Sequence, residues 1–108
     1  MGNFKDDILE AANGEPIEAI VIGEYGWGGY KENERVPDDK QGVILTWDEA
    51  APMLDYSYDT GFGAPECHAI EAFTASRILS VSEYDGSTYI TWANRNPIAT
   101  KPGMSGGG

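Results

Sequence analysis

The stretch Ile78-Leu79-Ser80-Val81-Ser82-Glu83-Tyr84-Asp85-Gly86-Ser87-Thr88-Tyr89-Ile90-Thr91-Trp92 decides how this chain is read. Two runs rich in β-branched and aromatic residues flank Asp85-Gly86. A two-residue type I′ loop needs positive φ at both central positions, which Asp and Gly tolerate best, so a β-hairpin is predicted. The loop sets the register. Tyr84 faces Ser87, Glu83 faces Thr88, Ser82 faces Tyr89, Val81 faces Ile90, Ser80 faces Thr91 and Leu79 faces Trp92. Directly opposed residues share a face of the sheet. One face then carries Leu79, Val81, Ile90 and Trp92, with Glu83 and Thr88 at the tip. The other carries Ser80, Ser82, Thr91, Tyr84 and Tyr89. This alternation belongs to an antiparallel sheet with one wet face. A lone hairpin is marginal in water, so the upstream chain must supply a covering layer.

A helix over Asn3 to Asn13 is the natural cover. Asn3 suits the N-cap, Asp6 and Asp7 sit in the first turn, and Gly14 stands where a C′ glycine belongs. Phe4, Ile8, Leu9, Ala11 and Ala12 form an apolar stripe at helical spacing. Ile17 to Gly23 reads as a strand placed centrally in the sheet. Tyr25-Gly26-Trp27-Gly28-Gly29-Tyr30 is an aromatic and glycine loop, and residues 31–41 form a long charged surface loop. Gly42 to Thr46 is a second strand. Thr46 and Glu49 have capping-box spacing, so a short helix runs from Trp47 to Leu54. Pro52 opposes it, at about 3 kcal/mol in a helix interior, and a start nearer Asp48 would relieve the conflict.

Asp55 to Pro65 is a second aromatic and glycine loop. Pro65 would suit the first turn of a helix over 66–74, but alternation of His68, Ile70, Ala72 and Thr74 favours a strand. Thr74-Ala75-Ser76 then joins that strand to the hairpin as a meander. Asn94-Arg95-Asn96-Pro97 ends the sheet. The expected fold is α+β: one small domain over 3–98, a mostly antiparallel sheet of about five strands, an N-terminal helix and a short middle helix. Residues 99–108 read as a disordered Gly/Ser-rich tail.

Composition bounds the function. The chain of 108 residues carries 18 acidic and 7 basic side chains, a net charge of −11. Residues 1–34 and 48–71 each carry −6. Such a surface repels nucleic acid and anionic membranes and favours a basic protein partner or cations; the plainer reading is solubility. No apolar run is long enough to span a bilayer, and the acidic N-terminus has no signal-peptide h-region. It also lacks the Ser or Thr at position 6 that myristoylation wants. One cysteine, Cys67, excludes an internal disulfide. The expected form is a cytoplasmic monomer.

Four groups of residues invite chemistry. Asp55, Ser57, Asp59, Gly61 and Glu66 occupy EF-hand loop positions 1, 3, 5, 7 and 12, but position 6 is Thr60 instead of glycine and Pro65 precedes the glutamate. Calcium binding by Asp55, Ser57, Asp59 and Glu66 is therefore a weak candidate, and no cofactor is expected. Cys67 and His68 are adjacent, so on a strand they point to opposite faces and cannot act as nucleophile and base. With no third orienting group, they do not suggest an enzyme. Finally, Tyr25, Trp27 and Tyr30 with Tyr56, Tyr58 and Phe62 would form an aromatic, acid-rimmed patch of the kind that anchors protein interfaces. The Tyr84 and Tyr89 side of the hairpin is a smaller candidate of that kind.

These features favour a non-catalytic protein-interaction module. One alternative is an acidic inhibitor that fills a nucleic-acid-binding site on another protein, as a phage-type anti-defence protein would. The other is a calcium-binding, small-ligand or enzyme domain.

Overall fold

The computed structural model describes residues 2–26, 35–61, 65–84 and 87–95. The chain opens with a two-residue strand, β1 (Gly2–Asn3), that leads into helix α1 (Phe4–Ala11). Asn3 caps the helix as expected, its side-chain oxygen accepting from the Asp6 amide at 3.0 Å. At the far end Asn13, with φ of 56°, takes the first left-handed position, and Gly14, with φ of 83°, takes the next. Asn tolerates this conformation because its short polar side chain bonds locally.

Strand β2 (Ala19–Tyr25) follows, with Ile20 and Ile22 buried on one face. It runs past Gly23 to Tyr25. A Cβ on Gly23 would lie 3.3 Å from the Ala69 side chain, so glycine allows the close approach here. Residues 35–41 are pinned by Val36, which is buried and whose carbonyl accepts from the Gln41 amide group. Strand β3 (Ile44–Leu45) is shorter than the Gly42–Thr46 run suggests.

Helix α2 (Trp47–Leu54) keeps its full expected length with Pro52 inside it. Its start does not shift towards Asp48. The capping box fixes that start, with Thr46 Oγ1 accepting from the Glu49 amide and Glu49 Oε1 accepting from the Thr46 amide, both at 3.2 Å. The Thr46 amide first, and then the Thr46 hydroxyl, which donates to the same Oε1 at 3.1 Å, hold the Glu49 carboxyl below the usual carboxylate range.

The segment after α2 forms strand β4 (Ser57–Tyr58), which pairs with β1. Residues 66–74 contain a strand, as the alternation predicts: β5 (His68–Phe73), with His68, Ile70 and Ala72 buried. It continues into β6 (Arg77–Tyr84) and β7 (Ser87–Asn94). The hairpin register is the predicted one, pair for pair, from Tyr84 opposite Ser87 to Leu79 opposite Trp92. Asp85 and Gly86 themselves lie outside the described residues, as does the expected tail.

The main sheet has the order β3-β2-β5-β6-β7 with every pairing antiparallel, so β5 is central and β2 is internal beside it. The pair β1-β4 is a separate small sheet that the sequence reading lacks. Helices α1 and α2 touch each other, and α1 lies against β7 while α2 lies against β2. Both cover one face. Phe4, Ile8, Ala12, Ala50 and Leu54 pack there on Ile20, Ile22, Ile70, Ala72 and Leu79.

The N-terminal segment is strapped to the residues after α2. The Phe4 amide donates to the Tyr56 carbonyl at 2.9 Å, Asn3 donates to Asp55 at 2.9 Å, and Lys5 pairs with Asp55 at 3.6 Å. These contacts, the Asn3 bond first, hold the Asp55 carboxyl below its ordinary range. At the open end of the meander, Glu15 accepts from the Thr74 and Ser76 hydroxyls, and Arg95 pairs with Glu18 and donates to the Thr74 carbonyl.

The capping box generates a stability prediction. Thr46→Ala removes one arm and should cost about 1 kcal/mol, lowering the melting temperature by several degrees. Leu79→Ala, in the fully buried centre of the hairpin face, should cost about 2–5 kcal/mol. Thermal melts of the two variants compare them directly, and an unchanged Thr46→Ala melt would show that the box contributes nothing.

Candidate functional site

The two aromatic loops do not meet as a surface patch among the described residues. Tyr56 is 5% exposed and Tyr58 is 3% exposed. The reason is periodicity. With Ser57 between them on an extended segment, both rings point the same way, and pairing with β1 turns that side inward. They pack on Phe4 with ring centroids 5.5 and 5.1 Å away. Both phenols are pushed up in pKa, chiefly by burial. Tyr56 and Tyr58 are therefore core residues, not exposed anchors. Tyr25 is half-buried with its ring 5.2 Å from that of His68. Trp27, Tyr30 and Phe62 lie outside the described residues.

His68 and Cys67 are both buried. The Tyr56 hydroxyl oxygen accepts from the His68 backbone amide at 2.9 Å and lies 2.8 Å from Nδ1. The hydroxyl and Nδ1 share one hydrogen bond, and the buried imidazole is neutral. Burial lowers the His68 pKa to about 4 and pushes the Cys67 thiol up to about 12. A neutral, enclosed imidazole and a protonated thiol are poor materials for nucleophilic chemistry.

The calcium loop is also occupied otherwise. Asp55 is held by Asn3 and Lys5, Ser57 is in β4, and the Asp59 side chain accepts from the Gly61 amide at 2.8 Å. Glu66 is followed by strand β5 where an EF-hand has its second helix. Among the described residues, no group of three or more Asp, Glu, His or Cys side chains is gathered as a metal would require.

The geometry that stands out lies at the β7 edge. Leu79 and its cross-strand partner Trp92 lie level on the inner face, yet Leu79 is fully buried and Trp92 is 47% exposed, so the cover runs out across the sheet at the edge strand. Between α1 and the inner face of β7 runs an open groove of about 450 Å³. Asp7 and Glu10 line its helix side, Thr88, Ile90 and Trp92 its strand side, and Tyr58 and Thr60 close one end. Arg77 sits at the other end. Its guanidinium lies 3.7 Å from the Trp92 ring centroid and donates to the Ala11 carbonyl at 2.9 Å. It supplies a cation to a helix terminus that has none of its own, where the dipole favours one.

Sequence reasoning missed Arg77, Asp7 and Glu10 as site residues. The register contained the signal for Arg77. Opposite Asn94 on the inner face, it is the diagonal neighbour of Trp92. The acids of α1 carried no such signal, because a helix lacks a register against a strand.

In comparisons with family models, curated proteins and solved structures, nothing matches this chain. Among the described residues no helix is long and apolar enough to cross a membrane.

The His68 environment predicts a pH dependence. The folded pKa is depressed from 6.5 to about 4, so the unfolded chain takes up the proton first as pH falls. The stability from the neutral ring is whole above about pH 6.5 and is lost towards pH 4. Urea unfolding should show a loss of about 2 kcal/mol between pH 7 and pH 5. His68→Asn, which keeps an acceptor for Tyr56 and does not titrate, should flatten that slope; an equal slope in both proteins would assign the loss to other groups.

Proposed function

We propose that this domain is a non-catalytic protein-interaction module whose working surface is the β6-β7 hairpin. One observation carries this reading. Strand β7 is a sheet edge of eight residues with no charged residue and no proline, and it exposes Tyr89 and Trp92. Natural edges are blunted by charge, proline, bulges or extreme shortness, because a bare edge pairs with other chains. The opposite edge, β3, is blunted by being two residues long. Tyr84 and Tyr89, 48% and 38% exposed, extend the aromatic surface onto the outer face. Aromatic side chains are the usual energetic anchors of interfaces.

The enclosed state of Cys67 and His68 supports a binding role over a thiol mechanism. The surface differs from the one that the two loops suggest, since Tyr56 and Tyr58 are spent on the core. A protein captured from the native host's lysate should stay bound at high salt. Tyr89→Ser should then weaken its affinity by about 30-fold, as loss of one aromatic anchor does. Capture of nothing at any salt overturns the reading. Capture of a nucleic-acid-binding protein that is lost at high salt replaces it with an acidic inhibitor.

A further inference from the structure

The ladder on the outer side of β7 is begun and left open. The Thr88 amide points away from β6 and donates to the Thr60 carbonyl at 3.2 Å, while the Arg95 amide points towards β6 and donates to the Ser76 carbonyl at 2.9 Å. Strand backbones alternate, so Ile90, Trp92 and Asn94 also aim their N–H and C=O groups outward. Among the described residues nothing pairs with them. Among the described residues Thr60 thus supplies one bond to this outer side of β7.

The groove borders this edge on its inner side. Asp7 uses Oδ2 to accept from the Tyr58 hydroxyl at 2.7 Å. Among the described residues, its Oδ1 and both Glu10 oxygens accept no hydrogen bond. Arg77, the one cation of the lining among the described residues, is already engaged by Trp92 and the Ala11 carbonyl. The edge strand carries no charge and the chain carries −11. A second copy would bring the same charge to the contact and be repelled, whereas a basic segment would be attracted.

We infer that β7 is a strand-addition site for an extended, lysine- or arginine-bearing segment of another protein. The added strand pairs through its main chain with Ile90, Trp92 and Asn94. Every second side chain then lies on the groove side, where a cationic head group meets Asp7 and Glu10. This rests on the interaction-module reading and gives it a mode and a partner chemistry.

The test uses an eight-residue peptide of alternating valine and lysine, with amide hydrogen exchange followed residue by residue. At saturation the amides of Ile90, Trp92 and Asn94 should exchange at least tenfold more slowly. Those of Tyr89, Thr91 and Ala93, already inside the β6-β7 ladder, should not change. A peptide with glutamate in place of lysine, and one N-methylated at alternate residues, should give no protection. Glu10→Gln combined with Asp7→Asn should weaken binding of the lysine peptide at least threefold. Ile90→Pro, which removes an outward donor and leaves the β6 ladder intact, should abolish it. Absence of protection with the lysine peptide overturns the inference, as does equal protection by the glutamate or N-methylated peptide. Protection that grows with protein concentration alone also overturns it, since the occupant is then a second copy. If a protein captured from lysate binds without protecting these three amides, the mode fails while the interaction-module reading stands.

Discussion

A side-chain period of two leaves no residue of an antiparallel hairpin free to choose its face, and the remainder of this structure depends on that constraint. With Tyr84 opposed to Ser87, Leu79 must enter the core and Ser80 must leave it. A slip of one residue would bury Ser80 and Ser82 and expel Leu79, which has no exposed surface in the fold. The same parity sends Thr88 inward at the tip and Arg77 inward at the open end. Arg77 then reaches both the Trp92 ring and the last turn of α1, so one register joins sheet to helix.

The covering layer is shorter than the sheet it covers. Helices α1 and α2 have eight residues each and share one face of five strands. They seal the middle, where Ile20, Ile22, Ile70, Ala72 and Leu79 lie, and the seal ends at β7. Tyr56 and Tyr58 extend it on one side by packing with Phe4. Their burial brings a histidine into the interior, and the Tyr56 hydroxyl satisfies it. The exposed part of β7 is thus the geometric remainder of a small domain whose apolar supply is concentrated elsewhere.

Most of the main sheet was legible because its signals are long. Eight-residue strands around a two-residue turn specify their own register, and the alternation from His68 to Thr74 outweighs Pro65. Helix α2 was legible in both limits because Thr46 and Glu49 mark its start, and it holds its length with Pro52 inside it. Strands β1 and β4 were not legible. Two residues hold no periodicity, and Gly2 meets Tyr58 only after the chain has folded around α2. That omission misplaced Tyr56 and Tyr58, which looked like loop aromatics beside Asp55, Asp59 and Gly61. The candidate site was legible only as the Tyr84–Tyr89 face; Trp92 read as part of the apolar face to be covered, and where that cover runs out is a tertiary quantity.

The pairing order also has a consequence during synthesis. Phe73 meets Ile78 across a tight turn, but Ile20 meets Ala72 across the whole of α2 and both flanking loops. Closing so long a loop costs chain entropy, so the meander can assemble first and recruit β2 afterwards. A growing chain presents its segments in the reverse sequence. The apolar run from Ala19 to Ile22 leaves the ribosome with only the two-residue β3 to join until Phe73 has followed it. During that wait its neighbours are acidic, with residues 1–34 carrying −6. Like charge on the flanking residues opposes contact between nascent β2 and β2 of a neighbouring chain.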